Sequence, residues 1–277
     1  MSTDLQKRLL TGIVLIGLLV LCLKLGGYYL TFVAIAAIYL CALEFISFAG
    51  QGGKLFRYTM AAVFITPGLG AALVGWSSFS FIFIACAILV FAQSLFLVER
   101  SVIDQRSIKN VNAILIGFLY IGLFGGILIY ITSAANAVKL VTWLFSGVIA
   151  SDTFAYFGGK AFGKKQLAPQ ISPKKTIAGM YFGYFGCIGA CMIVANYYNF
   201  VPRDGWNYQL LLLFFASLVA SLSLMGDLFE SLLKRIHGVK DSGRFLPGHG
   251  GLLDRLDALV LSAPVAILMD IFIKGNH

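Results

Sequence analysis

Nine stretches follow one another through this chain, each close to the roughly 20 mostly apolar residues that a helix needs to cross a bilayer. They run over residues 9–25, 28–49, 57–75, 78–98, 111–132, 138–158, 178–199, 208–226 and 257–274. Runs of this length leave few architectures open, and an all-α, polytopic transmembrane helix bundle of about nine spans is expected. Composition agrees. Only 12% of the 277 residues are charged, about half the share found in soluble domains, and the mean hydropathy is +0.89. Gly26-Gly27 makes the first two spans a tight hairpin, and the polar step at Ser77-Ser78 divides the third from the fourth. Lys7 and Arg8 ahead of an apolar run resemble a signal peptide. No soluble segment follows, so an uncleaved first span is expected.

The distribution of basic residues predicts the orientation. With a cytoplasmic N-terminus and nine spans, all but four of the 21 Lys and Arg fall on the cytoplasmic side; the exceptions are Lys24, Lys139, Arg203 and Lys274. An even number of spans would move a five-charge loop outside and spoil this asymmetry. The two richest loops, 159–177 and 227–256, then share the cytoplasmic face, in a multi-pass protein of the cell (inner, cytoplasmic) membrane. The chain is expected to divide into N-terminal transmembrane helices over 1–136, about five spans, and a C-terminal transmembrane region over 137–277 that carries both loops and with them whatever chemistry the chain performs. The net charge of +9 reads as positive-inside anchoring and headgroup contact. No interleaved basic-aromatic patch points to nucleic acid.

Isolated polar residues are weighed one by one. The five cysteines lie inside apolar runs with no Cys-x-x-Cys pair, and read as small buried hydrophobes. Glu44 and Asp270, each near the end of a span, are expected to reach the interface. Asp152 lies in the cytoplasmic half of the sixth span, between Ser151 and Thr153. Burying a carboxylate there is costly unless it is paired. It reads either as lining a cation- or nucleotide-binding cavity or as a helix–helix hydrogen bond through its hydroxyl neighbours.

The loop 159–177 holds Pro169 and Pro173, which stop any helix, and ends in Ser172-Pro173-Lys174-Lys175-Thr176. Two lysines and two hydroxyls at the start of the seventh span make a plausible phosphate site. Positive-inside anchoring explains the lysines equally well. The sequence has no P-loop.

Residues 223–257 hold ten charged residues in 35 positions. Asp227, Glu230, Ser231 and Lys234 are spaced to share one helix face, so the eighth span is expected to continue past the interface as an amphipathic helix. A turn-rich segment follows, with Pro247-Gly248-His249-Gly250-Gly251 at its tip. Asp254 and Asp257 then open the last span. Acidic groups at two helix ends facing one loop suit Mg²⁺, which takes one or two carboxylates plus substrate phosphates and water. Flanking Lys and Arg would hold further phosphate charge. This is equipment for phosphoryl or nucleotidyl transfer. His249 has no partner at zinc-ligand spacing. An ion transporter would spread ionisable residues through the membrane thickness, whereas here they crowd one face.

At these residues the sequence resembles the CDP-diacylglycerol synthases (phosphatidate cytidylyltransferases). The signature reads Ser231, Lys234-Arg235, Lys240-Asp241, Pro247-Gly248-His249-Gly250-Gly251 and Asp254-Arg255-Leu256-Asp257, with upstream elements Ser151-Asp152-Thr153, Ala155-Tyr156, Phe162-Gly163-Lys164 and Ser172 to Thr176. The resemblance covers roughly residues 145–265. One position departs: Ala178 stands where the family usually has Glu or Gln.

The resemblance implies the reaction CTP + phosphatidate → CDP-diacylglycerol + pyrophosphate, with Mg²⁺ and room for a second cation. It also implies a helical membrane homodimer with a cytoplasm-facing cavity. Asp227, Asp254 and Asp257 are then the expected metal ligands. Lys175, Lys234 and Arg255 join them as catalytic residues. Asp152, Ser172, Lys174, Thr176, Ser231, Lys240, Asp241, His249, Gly250 and Gly251 are expected to bind substrate. The nearer alternative is a membrane enzyme acting on another nucleotide-linked lipid.

Overall fold

The computed structural model describes residues 3–49, 53–99, 105–200, 206–243, 245–246 and 250–275. His249, with Pro247 and Gly248, lies outside the described residues. The helices in order are α1 (Thr3–Leu25), α2 (Gly27–Phe48), α3 (Lys54–Val74), α4 (Trp76–Glu99), α5 (Gln105–Gly117), a π-helical segment (Phe118–Gly125), α6 (Gly126–Ser133), α7 (Ala137–Phe162), α8 (Ile177–Tyr197), α9 (Trp206–Ile236) and α10 (Leu253–Gly275). Among the described residues, eight stretches are long and apolar enough to cross a membrane, with α5, the π-helical segment and α6 joined into one over Ile108–Ser133. Within α1 the described apolar run is shorter, Val14–Leu25. The chain is thus a polytopic helical bundle.

Among the described residues, the 159–177 loop carries a pair of short strands. Residues Gln166–Ala168 (β1) and Ser172–Thr176 (β2) pair as an antiparallel hairpin. The two prolines forbid helix there, as expected. The pairing brings Gln166 opposite Thr176, and Gln166 Nε2 donates to the Pro173 carbonyl at 2.9 Å.

The chain forms two compact units. The first comprises residues 1–135 and 237–255. Its α2 buries Ile38, Cys41, Ala42, Phe45 and Ile46, spaced along one helical face. Phe64 of α3 meets Phe118 edge-on, with ring centroids 5.5 Å apart. A Cβ on Gly68 would stand 2.6 Å from the Gly126 Cα, so glycine at that position lets α3 and α6 touch backbone to backbone.

The second unit comprises residues 136–236 and 256–277. Lipid tails are as apolar as leucine, so helices here associate through close packing and hydrogen bonds. Gly179 and Gly183 of α8 supply the close packing. A Cβ on either would stand 2.8 Å from a carbonyl oxygen of α7, that of Ala155 or Ser151 respectively. Trp143 Nε1 donates to the Cys191 carbonyl at 3.1 Å, a buried bond from α7 to α8. All five cysteines are buried and unbridged.

α9 runs 31 residues without a break. At 1.5 Å per residue it is roughly 46 Å long, well beyond the roughly 30 Å hydrocarbon core. The helical continuation through Asp227, Glu230, Ser231 and Lys234 that the charge spacing predicts is therefore present.

Two expectations are corrected. Asp270 does not merely reach the interface: it is 4% exposed and accepts from Asn136 Nδ2 at 3.2 Å and Lys274 Nζ at 2.6 Å. Glu44 is likewise turned into the protein, as described below.

Candidate active site

α9 and α10 meet at Gly226. A Cβ there would stand 2.6 Å from the Asp257 carbonyl oxygen and 3.0 Å from the Ala258 Cα. The absent side chain brings the next residue, Asp227, to the helix that carries Asp257. Strand β2 delivers a cation to the same place. Along β2, Lys174 is exposed and Lys175 half-buried. The alternation of a strand separates the two neighbours, and Lys175 Nζ forms an ion pair with Asp227 Oδ2.

Asp257 is 7% exposed. It lies within electrostatic reach of Asp227, Asp152 and Lys175, and its Oδ1 accepts from the Ala258 amide at 2.8 Å. Asp152 is exposed on the surface of the chain yet still belongs to this charge cluster. Three acidic side chains share one ammonium here, and a further cation among them would favour their ionised forms.

A second pair lies one turn further along α9. Lys234 Nζ meets Glu230 Oε2 at 2.5 Å, with Glu230 1% exposed. Ser231 beside it is 8% exposed. The face predicted from the spacing of Asp227, Glu230, Ser231 and Lys234 is therefore the one turned inward.

The start of α8 is fixed by Thr176. Its Oγ1 accepts from the Gly179 amide at 3.1 Å, an N-cap that satisfies one of the helix's orphan donors. Arg235 Nε donates to the Ile171 carbonyl at 3.2 Å, which ties the hairpin turn to α9. Ser172 is half-buried near that turn, and Ala178 is half-buried in the first turn of α8.

In the first unit, Asp254 ties Ser242 and Gly251 together. Asp254 Oδ2 accepts from the Ser242 amide at 3.0 Å and the Gly251 amide at 2.8 Å. Gly250, at φ +86°, takes the left-handed backbone that favours glycine. Lys240, Asp241 and Arg255 are exposed. Asp254 and Asp257 are three residues apart on α10 and so share a helix face.

The sequence reading missed one residue that the geometry brings forward. Glu44, on α2, accepts from Ser242 Oγ at 3.1 Å and from the amides of Leu252 and Leu253 at 3.0 and 2.9 Å. The available signal was an acidic side chain inside an apolar run, which needs an internal partner. Nothing in the sequence named that partner, 198 residues away at Ser242.

Among the described residues, no group of three or more His, Cys, Asp or Glu side chains is gathered closely enough to hold a metal on its own. Mg²⁺ needs only one or two protein carboxylates when phosphates and water complete its shell. Asp227 and Asp257 meet that requirement in kind.

Comparison with known proteins places the chain. The model of the cytidylyltransferase family matches residues 6–272. The phosphatidate cytidylyltransferase of Thermotoga maritima is 38% identical over 176 residues, 60% of this chain and 62% of that protein. The phosphatidate cytidylyltransferase of Rickettsia typhi is 37% identical over 168 residues, 60% of this chain and 73% of that protein. For the Helicobacter pylori protein of the same name the identity is 39% over 167 residues, 60% of this chain and 59% of that protein. The chain thus spans about three fifths of the length of two of these relatives. With nearly its whole length matched by one family model, this chain belongs to the cytidylyltransferase family.

Proposed function

We propose that the chain transfers the cytidylyl group of CTP to phosphatidate, giving CDP-diacylglycerol and pyrophosphate for phospholipid synthesis. The observation that carries this reading is the ion pair of Lys175 with Asp227, with Asp257 and Asp152 within electrostatic reach, in a membrane-spanning member of the family. Relatives that bear the name phosphatidate cytidylyltransferase support the choice of substrates. Helices long enough to cross a membrane suit a reaction in which one substrate never leaves the bilayer.

In this mechanism a phosphate oxygen of phosphatidate attacks the α-phosphorus of CTP in line. The new P–O bond forms as the bond to the β-phosphate oxygen breaks, and pyrophosphate leaves. No covalent enzyme intermediate is needed. Asp227 and Asp257 would hold Mg²⁺, and Asp254, three residues earlier on α10, is the third carboxylate proposed for this role. The ion supplies charge neutralisation at the triphosphate and the leaving group. A second cation would be accommodated by the remaining carboxylate charge.

Lys175, released from Asp227 when a cation takes that carboxylate, would hold a phosphate oxygen. Lys234 and Arg255 would hold further phosphate charge. Ser172, Lys174, Thr176 and Ser231 would bind substrate at the hairpin and along α9. Lys240, Asp241, His249, Gly250 and Gly251 would do so from the glycine-rich segment.

The charge distribution supports a cytoplasmic N-terminus, with the 159–177 and 227–256 loops on that side of the cell membrane. A homodimer is implied by the resemblance and is checked by mass measurement in detergent. The reaction itself is tested by incubating the purified chain with CTP, phosphatidate and Mg²⁺. CDP-diacylglycerol is expected from the wild type and at least about 100-fold less from Asp227→Asn or Asp257→Asn, in line with the loss of groups acting on transition-state charge. Undiminished product from both variants would exclude these roles. Equal product from other nucleoside triphosphates would favour an enzyme of different nucleotide specificity.

A further inference from the structure

We propose that Glu44 is a positioning residue, clamping Ser242 and the entry into α10 at Gly251, Leu252 and Leu253 from the distant helix α2. Its two carboxylate oxygens are divided between three donors. Oε1 accepts from the Leu252 amide, while Oε2 accepts from the Leu253 amide and Ser242 Oγ. The first amides of a helix have no partner within it, and negative charge at that end is favourable. Glu44 therefore supplies from another helix what a local capping side chain ordinarily supplies.

The fit is tight on both sides of the carboxylate. A Cβ on Gly243 would stand 2.6 Å from Glu44 Oε1. One on Gly251 would stand 2.5 Å from Glu44 Oε2 and would fall onto Ser242 Oγ. The glycines at these two positions leave the room that Glu44 occupies. Ser242, the hinge of the arrangement, is 4% exposed, and its own amide donates to Asp254. Two carboxylates thus divide the segment: Asp254 closes it from within, and Glu44 fixes it to α2.

The clamped segment leads into the helix that carries Asp254, Arg255 and Asp257. Slack at the start of α10 would loosen the hold on Asp254, whose carboxylate also accepts from Ser242 and Gly251. Its kinetic consequence rests on the cytidylyl-transfer reading above; the clamp itself does not.

The experiment therefore has two arms. Hydrogen exchange is followed in detergent for peptides covering 242–254 in wild type, Glu44→Gln, Glu44→Ala, Glu44→Asp and Ser242→Ala. Loss of the clamp is expected to speed exchange in this segment about tenfold or more in Glu44→Ala, with α7 and α8 unchanged. Ser242→Ala should give a smaller change and Glu44→Asp a partial recovery.

In the second arm, Glu44→Gln is expected to lower kcat about tenfold and to raise the Mg²⁺ concentration needed for half-maximal rate. KM for phosphatidate should be unchanged and Glu44→Asp should restore part of the rate. Wild-type exchange in the segment of Glu44→Ala would overturn the clamp, as would faster exchange spread evenly over the whole chain. A loosened segment with unchanged kcat and Mg²⁺ dependence would overturn the positioning role. An inactive wild type with the exchange pattern intact would refute the reaction and leave the clamp standing.

Discussion

Replacing Gly226 with alanine adds one methyl group where α9 and α10 touch. That methyl would stand 2.6 Å from the Asp257 carbonyl oxygen and 3.0 Å from the Ala258 Cα. Both neighbours are backbone, so no side chain can rotate out of the way. Ordinary contact begins at 3.4 Å, and relieving the oxygen contact alone requires the helices to part by about 0.8 Å. Overpacking of this kind costs about 1–3 kcal/mol, offset by up to about 1 kcal/mol from alanine's preference for helix. The net loss of stability is modest.

The larger effect is expected on rate. Asp227 follows Gly226 directly, and Asp257 supplies the contact, so the separation falls between the two carboxylates. A displacement near 1 Å can cost about 100-fold in rate. The assay is formation of CDP-diacylglycerol by purified Gly226→Ala, read beside its thermal unfolding in detergent. Gly189→Ala is the control, because a Cβ at Gly189 meets nothing within 4 Å, and it is expected to keep the wild-type rate. A Gly226→Ala enzyme within about twofold of wild type would refute the claim that close approach at this point sets the carboxylate geometry.

Three further outcomes are expected. Lys234→Met removes the ammonium paired with a carboxylate that is 1% exposed. It should cost about 3–5 kcal/mol in unfolding experiments, much of it recovered when Glu230→Gln is added. Thr176→Ala removes the cap on Gly179 and should cost about 1 kcal/mol, with Thr176→Ser close to wild type. For orientation, Gln170→Cys should react with an impermeant maleimide only from the cytoplasmic side, and Ala135→Cys only from the opposite side. The reverse pattern would overturn the charge-based topology.

The parts of the fold legible in the sequence are those governed by local rules. Apolar runs of membrane length became helices because backbone groups in lipid must be satisfied within the segment. The charged continuation of α9 as far as Ile236 followed from the helical spacing of Asp227, Glu230, Ser231 and Lys234. Pro169 and Pro173 correctly marked a break. The hairpin at that break was not legible, because strands of three and five residues carry too short a pattern to announce themselves.

The candidate site divides in the same way. Motif residues on adjoining elements could be picked out, including Lys175 and Asp227. Their pairing could not, since it depends on which face of β2 turns inward. Glu44 and Asp270 read as interfacial because each lies near the end of its span. Their partners at Ser242 and Asn136 lie 198 and 134 residues away. Asp152, weighed as a costly buried carboxylate, is instead exposed on the chain's own surface.

The most direct test of the reaction follows the fate of CTP's phosphorus atoms. The purified chain is given phosphatidate, Mg²⁺ and CTP labelled at either the α- or the γ-phosphorus. Cytidylyl transfer predicts that α-label enters the lipid product, with γ-label recovered in pyrophosphate in equal amount, and that both transfers fall together in Asp227→Asn. Label entering lipid from the γ-position, or no α-label in lipid under any Mg²⁺ concentration, would contradict the account.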